Sequence, residues 1–179
     1  MFREEKDLEL NYNITKQDYI DFNLNYFNNN AVVQRSIWMM RVATAIIVII
    51  GGSVLMYWLH ALTVVSGFVY LALAAACFFG TPWYMRHKMV KNVEKILKNA
   101  KNKQLCGPKT LTLRDDDFEL RGENEDTVYR YDAVQRTASD DKHYFIFVDE
   151  FSAIIVPFEA FGSMDEQRSF YERITKNIT

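Results

Sequence analysis

Val42–Leu59 reads VATAIIVIIGGSVLMYWL and, one residue later, Ala61–Tyr84 reads ALTVVSGFVYLALAAACFFGTPWY. The two stretches hold 18 and 24 residues without a charged side chain, separated only by His60. At about 1.5 Å per helical residue they reach roughly 27 and 36 Å, against a bilayer hydrocarbon core of about 30 Å. Each is long enough to span. The competing reading, two buried core helices, would need a protein shell that the remaining polar residues can hardly supply. A cleaved signal peptide does not fit either: the first run follows some 36 polar residues, lacks a basic start and is succeeded by a second apolar run.

With one residue between them, the helices are expected to be antiparallel neighbours, so that both polar ends emerge on the same side. Charge assigns that side. Arg35 and Arg41 precede the pair, and Arg86, Lys88, Lys91, Lys95, Lys98, Lys101 and Lys103 follow it, which by the positive-inside rule places both termini in the cytoplasm. Trp38, Trp83 and Tyr84 mark the inner boundary and Tyr57 and Trp58 the outer one. Arg41 lies near the inner end and reads as an anchor that reaches the interface.

Helices in lipid approach where side chains are small. Ala72, Ala76 and Gly80 recur at four-residue spacing, and folding the pair about His60 brings Gly52 toward Gly67 and Ala45 toward Ala76. This face is expected to pack within the hairpin; a homo-oligomer seam is the sharper alternative.

The net charge of −2 conceals strong segregation. Met1–Arg35 carries 4 basic and 6 acidic residues, residues 37–84 carry Arg41 alone, Met85–Lys103 carries 7 basic residues against Glu94, and Gln104–Thr179 carries 9 basic and 16 acidic. The basic segment reads as the second apolar helix continuing into an amphipathic one, with Arg86, Lys88, Lys91, Lys95 and Lys98 placed to meet anionic lipid headgroups. Nucleic-acid binding is disfavoured, because the basic run has no interleaved aromatic platform and its neighbour is acidic. Cys77 and Cys106 are too few for a disulfide framework and read as free thiols.

Before the hairpin, Leu8, Leu10, Tyr12 and Ile14 alternate with polar residues as in a half-buried strand, and Thr15 with Asp18 opens a helix over Tyr19–Phe27 that ends at Asn28–Asn30. After it come five short strands: Thr110–Leu113, Phe118–Arg121, Thr127–Tyr131, His143–Val148 and Ala153–Val156. Ser163 and Glu166 cap a last helix that buries Phe170, Tyr171, Ile174 and Ile178. An antiparallel meander closed by a C-terminal helix has the pattern of a pleckstrin-homology-like domain. A lone strand and helix cannot repay the entropy of ordering, so Leu8–Ile14 is expected to dock on the later sheet as part of one split domain.

The full reading is an α+β membrane protein: residues 1–36 a docking strand and helix, 37–84 the transmembrane hairpin, 85–103 the basic helix and 104–179 the cytoplasmic β-rich domain. This arrangement resembles the bacterial YcxB-like membrane proteins. The resemblance is carried by Leu105–Pro108, Tyr129–Val134 (YRYDAV) and Ile154–Phe161 (IIVPFEAF). It implies a pleckstrin-homology-like domain and a bacterial inner-membrane location, and it supplies no catalytic residue.

No chemistry-bearing constellation emerges. His60, His87 and His143 are expected at the outer turn, the inner interface and a strand, and Asp115–Asp117 with Glu119 lack the spacing of a calcium loop. No phosphate loop or nucleophile elbow occurs. No enzyme activity, metal or cofactor is expected. The leading function is a membrane-tethered binding or regulatory module that recruits a protein partner; the alternatives are an immunity protein that neutralises a membrane-acting toxin, and an oligomeric channel or transport subunit.

Overall fold

The computed structural model describes residues 7–60, 63–99, 105–123, 125–150 and 152–176. Ile178, Lys101 and Lys103 lie outside them. The chain is α+β, in the order β1 (Leu8–Ile14), α1 (Lys16–Asn29), α2 (Ala31–Trp58), α3 (Val64–Lys98), β2 (Gly107–Leu113), β3 (Asp117–Gly122), β4 (Glu125–Arg130), β5 (Arg136–Ser139), β6 (His143–Phe147), β7 (Ala153–Pro157) and α4 (Met164–Lys176). Single 3-10 turns occupy Tyr131–Ala133 and Phe158–Ala160. The chain divides into two compact units, one gathering everything up to Phe22 and from Glu94 onward, the other running from Asn23 to Val93.

In the first unit, β1 pairs antiparallel with β2, with Leu8 opposite Leu113, Leu10 opposite Leu111 and Ile14 opposite Gly107. The strand Leu8–Ile14 thus joins a sheet whose other members begin some 95 residues later in sequence, in the order β1-β2-β3-β4. The alternation decides which face of β1 is buried: Leu10 and Ile14 are buried while Glu9, Asn11 and Asn13 face outward. A second sheet has the order β5-β6-β7. The single meander expected from the sequence is therefore two sheets. The extra strand, Arg136–Ser139 (RTAS), has almost no apolar alternation to announce it; it forms because its backbone pairs with β6, Thr137 opposite Ile146.

Both sheets contribute to one core, with Leu10, Leu111, Leu113, Phe118 and Leu120 from the first and Ile146, Ile154 and Val156 from the second. Helix α4 closes it with Phe170 and Ile174, each 1% exposed; Phe170 lies 5.1 Å from Phe161 and 5.9 Å from Tyr144, between ring centroids. Strand β6 is covered on both faces. Ile146 points into the core, while Phe145 and Phe147 meet Phe22 of α1 at 5.4 and 5.9 Å. Helix α1 starts as the Thr15/Asp18 pair dictates: the Thr15 amide donates to Asp18 Oδ2 at 2.7 Å, and the Asp18 amide donates to Thr15 Oγ1 at 3.3 Å. At α4, the Glu166 amide donates to Ser163 Oγ at 3.1 Å.

In the second unit, α2 begins earlier than the apolar run, because Asn30 caps it by accepting from the Val32 and Val33 amides at 2.9 and 3.1 Å. The connection is longer than His60 alone. Helix α2 ends at Trp58, His60 takes a left-handed φ of 52°, and α3 starts at Val64 behind a reciprocal cap in which the Thr63 amide donates to Ser66 Oγ and the Ser66 amide to Thr63 Oγ1. The basic segment is continuous with the second apolar run, for α3 extends unbroken from Val64 to Lys98 with Pro82 inside it. The Thr81 hydroxyl donates to the Cys77 carbonyl at 2.6 Å, beside the position where proline withholds a backbone donor.

Candidate functional site

The first unit holds a cleft of about 460 Å³. Its walls come from α1 (Tyr19, Phe22), from the inward row of the four-stranded sheet (Tyr12, Ile14, Lys109, Leu120, Tyr129) and from Ile154 and Ile155 of β7, with Asp149 and Ser152 at the β6–β7 turn. Lys109 occupies a position where the alternation of β2 calls for an apolar residue: it is followed at two-residue steps by Leu111 and Leu113, and is itself 8% exposed. Gly122 stands opposite it, and a Cβ there would lie 2.7 Å from Lys109 Nζ. Burial pushes the Tyr19 phenol up, keeping it neutral. Burial also pushes the Cys106 thiol up despite the nearby charges of Lys16 and Lys109, which makes it a poor nucleophile. Cys77 and Cys106 are both free and half-buried.

A second feature joins α1 to β6. His143 is 2% exposed, with Nε2 2.9 Å from Asp18 Oδ1 and Nδ1 3.0 and 3.1 Å from the two carboxylate oxygens of Asp140. Asp140 also accepts from the Lys142 and His143 amides at 2.8 and 2.7 Å. Burial raises the Asp18 carboxyl, but hydrogen bonds from the Thr15 amide, His143 and the Thr15 hydroxyl, with the His143 charge, outweigh it and hold the group below the ordinary 3.8. The sequence places His143 in a strand with no role, because its acidic partners lie 3 and 125 positions away.

Elsewhere, Glu119 is 5% exposed and is bracketed by the guanidinium groups of Arg114 and Arg121, the latter at 2.7 Å. The Tyr131 hydroxyl donates to the Arg114 carbonyl at 2.8 Å, and burial pushes its phenol up to about 12. These contacts fix the β3 and β4 ends rather than forming a reactive centre. Among the described residues no group of three or more His, Cys, Asp or Glu side chains could hold a metal ion.

The residues singled out for helix packing divide. Gly52 is used, since a Cβ there would meet the Tyr70 ring at 2.3 Å. Gly67 and Gly80 have nothing within 4 Å of a would-be Cβ, and Ala72 and Ala76 are exposed, so these four do not make the intramolecular face expected of them. The face of α3 turned inward is instead Tyr70, Ala74, Cys77, Phe78 and Thr81, with Arg41 of α2 lying 5.8 Å from the Phe78 ring. The ring of Tyr70 fills the gap left by Gly52. Arg86, Lys88, Lys91, Lys95 and Lys98 are all exposed. At about 100° per residue, Lys88, Lys91, Lys95 and Lys98 fall within an arc of about 80° opposite the buried Val93 and Leu97, while Arg86 falls on the side of Val93.

Residues 113–172 match the family model described as YcxB-like protein. That stretch is similar to the YcxB-like family. No curated protein and no solved structure matches the chain. The matched stretch takes in Tyr129–Val134 and Ile154–Phe161, two of the three stretches that carried the resemblance, together with Asp140 and His143. Asp18, Tyr12, Tyr19, Phe22 and Lys109 lie outside it, so both the cleft and the histidine bridge are completed by segments beyond the matched residues.

Proposed function

We propose that the chain is a non-enzymatic, two-pass protein of a bacterial inner membrane whose β-rich unit is a cytoplasmic, pleckstrin-homology-like binding module. The observation that carries this reading is the outward apolar surface of α2 and α3. None of the most apolar 18-residue window of α2 is buried, and 6% of that of α3; Ile47, Ile50, Val54, Val65, Phe68 and Phe79 are each more than half exposed. Apolar surface of that extent on neighbouring helices calls for an apolar solvent, and lipid supplies it. The pleckstrin-homology-like reading is supported by seven strands divided four and three and followed by one helix, with α1–α3 inserted between the first and second strand.

The lysines of the α3 C-terminal half support a cytoplasmic side for both termini. In intact cells a membrane-impermeant maleimide labels His60→Cys, while Lys98→Cys is labelled only after the membrane is permeabilised. Labelling of Lys98→Cys in sealed cells overturns the orientation, and release of the protein by alkaline carbonate overturns the insertion.

The stripe Lys88, Lys91, Lys95 and Lys98 is our proposed contact for anionic headgroups. With each near-surface lysine contributing about 1 kcal/mol, changing all four to Gln lowers the enrichment of anionic over zwitterionic lipid around the reconstituted protein by at least tenfold. Arg86→Gln, on the other side of the helix, changes it little. Equal enrichment in the fourfold variant and the parent refutes the assignment. A protein partner would meet the acidic β-rich unit, and pull-down of the reconstituted chain tests this by returning a saturable partner or none.

A further inference from the structure

We infer that Arg41 holds the phosphate of one phospholipid at the end of the hairpin where α3 runs on into its basic half, a site that rests on the two-pass reading above. Ile37, Arg41, Ala45, Val48 and Gly52 recur along α2 at steps of three or four residues and form a buried or half-buried row, while Met40, Ile46, Ile47 and Ile50 are exposed. Gly52 and Arg41 of this row meet Tyr70 and Phe78 of α3. The one formal charge between residues 37 and 84 is therefore on the row turned toward α3. Its guanidinium lies 5.8 Å from the centroid of the Phe78 ring, within the ~6 Å of a cation–π contact, and its Nε is buried without a hydrogen-bond partner.

A guanidinium inside a span calls for an anion, and the hairpin has none to give. From Asn23 to Val93, the whole of the second compact unit, there is no Asp or Glu against Arg35, Arg41, Arg86, Lys88 and Lys91. A second copy packed hairpin to hairpin brings the same cations and no carboxylate, so self-association does not supply the partner. A phosphodiester does. Trp38 is three residues before Arg41 and 58% exposed, and Trp83 is five residues beyond Phe78 and 72% exposed. At about 1.5 Å per residue these rings stand roughly 4.5 and 7.5 Å nearer the polar end. Exposed tryptophans mark the headgroup level, which puts Arg41 just beneath the lipid phosphates. Every copy in a bilayer meets phosphodiesters at that depth, whereas a carboxylate would have to be brought by another chain. The planar fork suits two oxygens of one phosphate. Its contact with Phe78 holds it in place between the helices, and that pre-organisation separates a site for one lipid from the diffuse attraction of exposed lysines.

The test is native mass spectrometry of the full chain in maltoside micelles, titrated with dioleoyl phosphatidylglycerol. The first lipid is expected to bind roughly tenfold or more tighter than the second, the worth of one charge-assisted hydrogen bond. Dioleoylglycerol, with the same chains and no phosphate, shows no such first step. Arg41→Gln loses the step, whereas changing Lys88, Lys91, Lys95 and Lys98 together to Gln keeps it. Equal first and second steps in the unaltered protein overturn the site, as does an Arg41→Gln variant that keeps the difference. Displacement of the first lipid by excess inorganic phosphate assigns the site to a free anion and overturns the assignment to lipid. Alkaline carbonate treatment of the source membranes separates the two failures: release of the protein removes the two-pass reading, while a protein that resists carbonate yet shows no tight first lipid removes this site alone.

Discussion

Leu10→Asp in the full chain abolishes folding of the β-rich unit, and Leu10→Ala costs it about 2–5 kcal/mol. Leu10 is 1% exposed, stands opposite Leu111 and belongs to the core shared by both sheets. Domains of this size are stable by only about 5–15 kcal/mol, so an uncompensated carboxylate at that position exceeds what the rest of the fold can offset. The strand also covers an edge: seven registered pairs join β1 to β2, and without them the N–H and C=O groups of β2 face water or another chain. Hydrogen exchange across β2 and β3 is the measurement, with Glu9→Ala on the exposed face of the same strand as the control, expected within about 0.5 kcal/mol of the parent. Protection of β2 that survives Leu10→Asp shows that β1 is an ornament on a domain complete without it. The same holds if residues 105–179, made alone, resist protease as well as the whole chain does.

The second large effect is expected at His143. His143→Ala removes the ring that bonds both Asp140 and Asp18, and leaving buried polar partners unsatisfied costs about 1–3 kcal/mol each. Asp18→Asn and Asp140→Asn each remove one acceptor and cost less. A double-mutant cycle between Asp18→Asn and His143→Ala should show coupling, because the 2.9 Å contact is the direct bond between α1 and β6. Acid titration adds an independent readout. Asp18 has its carboxyl held below the ordinary 3.8 in the folded state, so it binds fewer protons folded than unfolded. Its contribution is fully present above the unfolded value and is lost as pH falls through the lower folded one. Asp18→Asn therefore flattens the loss of stability below about pH 4, and an unchanged acid limb in that variant shows that the contact carries no free energy.

Both predictions concern the joining of segments that lie on opposite sides of α2 and α3 in the chain, and here local pattern and tertiary contact part company. The alternation of Leu8, Leu10, Tyr12 and Ile14 announces a strand with one buried face and requires a partner, yet it contains nothing that names β2 or sets Leu10 against Leu111. Helix starts at Thr15 and Ser163 are readable because a cap is made by residues within three positions of each other. Strand Arg136–Ser139 is not readable, because four mostly polar residues acquire their conformation from the β6 backbone rather than from their own side chains.

What the sequence determined by itself is whatever depends on composition along a short stretch: two helices apolar enough to cross a bilayer, a basic continuation of the second, an N-terminal strand, a β-rich remainder closed by a helix, and likeness to the YcxB-like family. Features that depend on rotation, or on distance across the fold, needed the packed chain to show them. A shift of one or two residues around α3 separates the expected stripe Ala72, Ala76, Gly80 from the buried face Tyr70, Ala74, Phe78, and hydropathy is too uniform there to choose between them. Lys109 reads as an ordinary surface lysine until the pairing of β2 turns it inward beside Gly122. His143 reads as a strand residue until folding brings Asp18 to it across 125 positions. The physical reason is the same in each case: backbone preference and burial are local and periodic, whereas a cleft or a charge cluster is made by side chains whose meeting is set by packing alone.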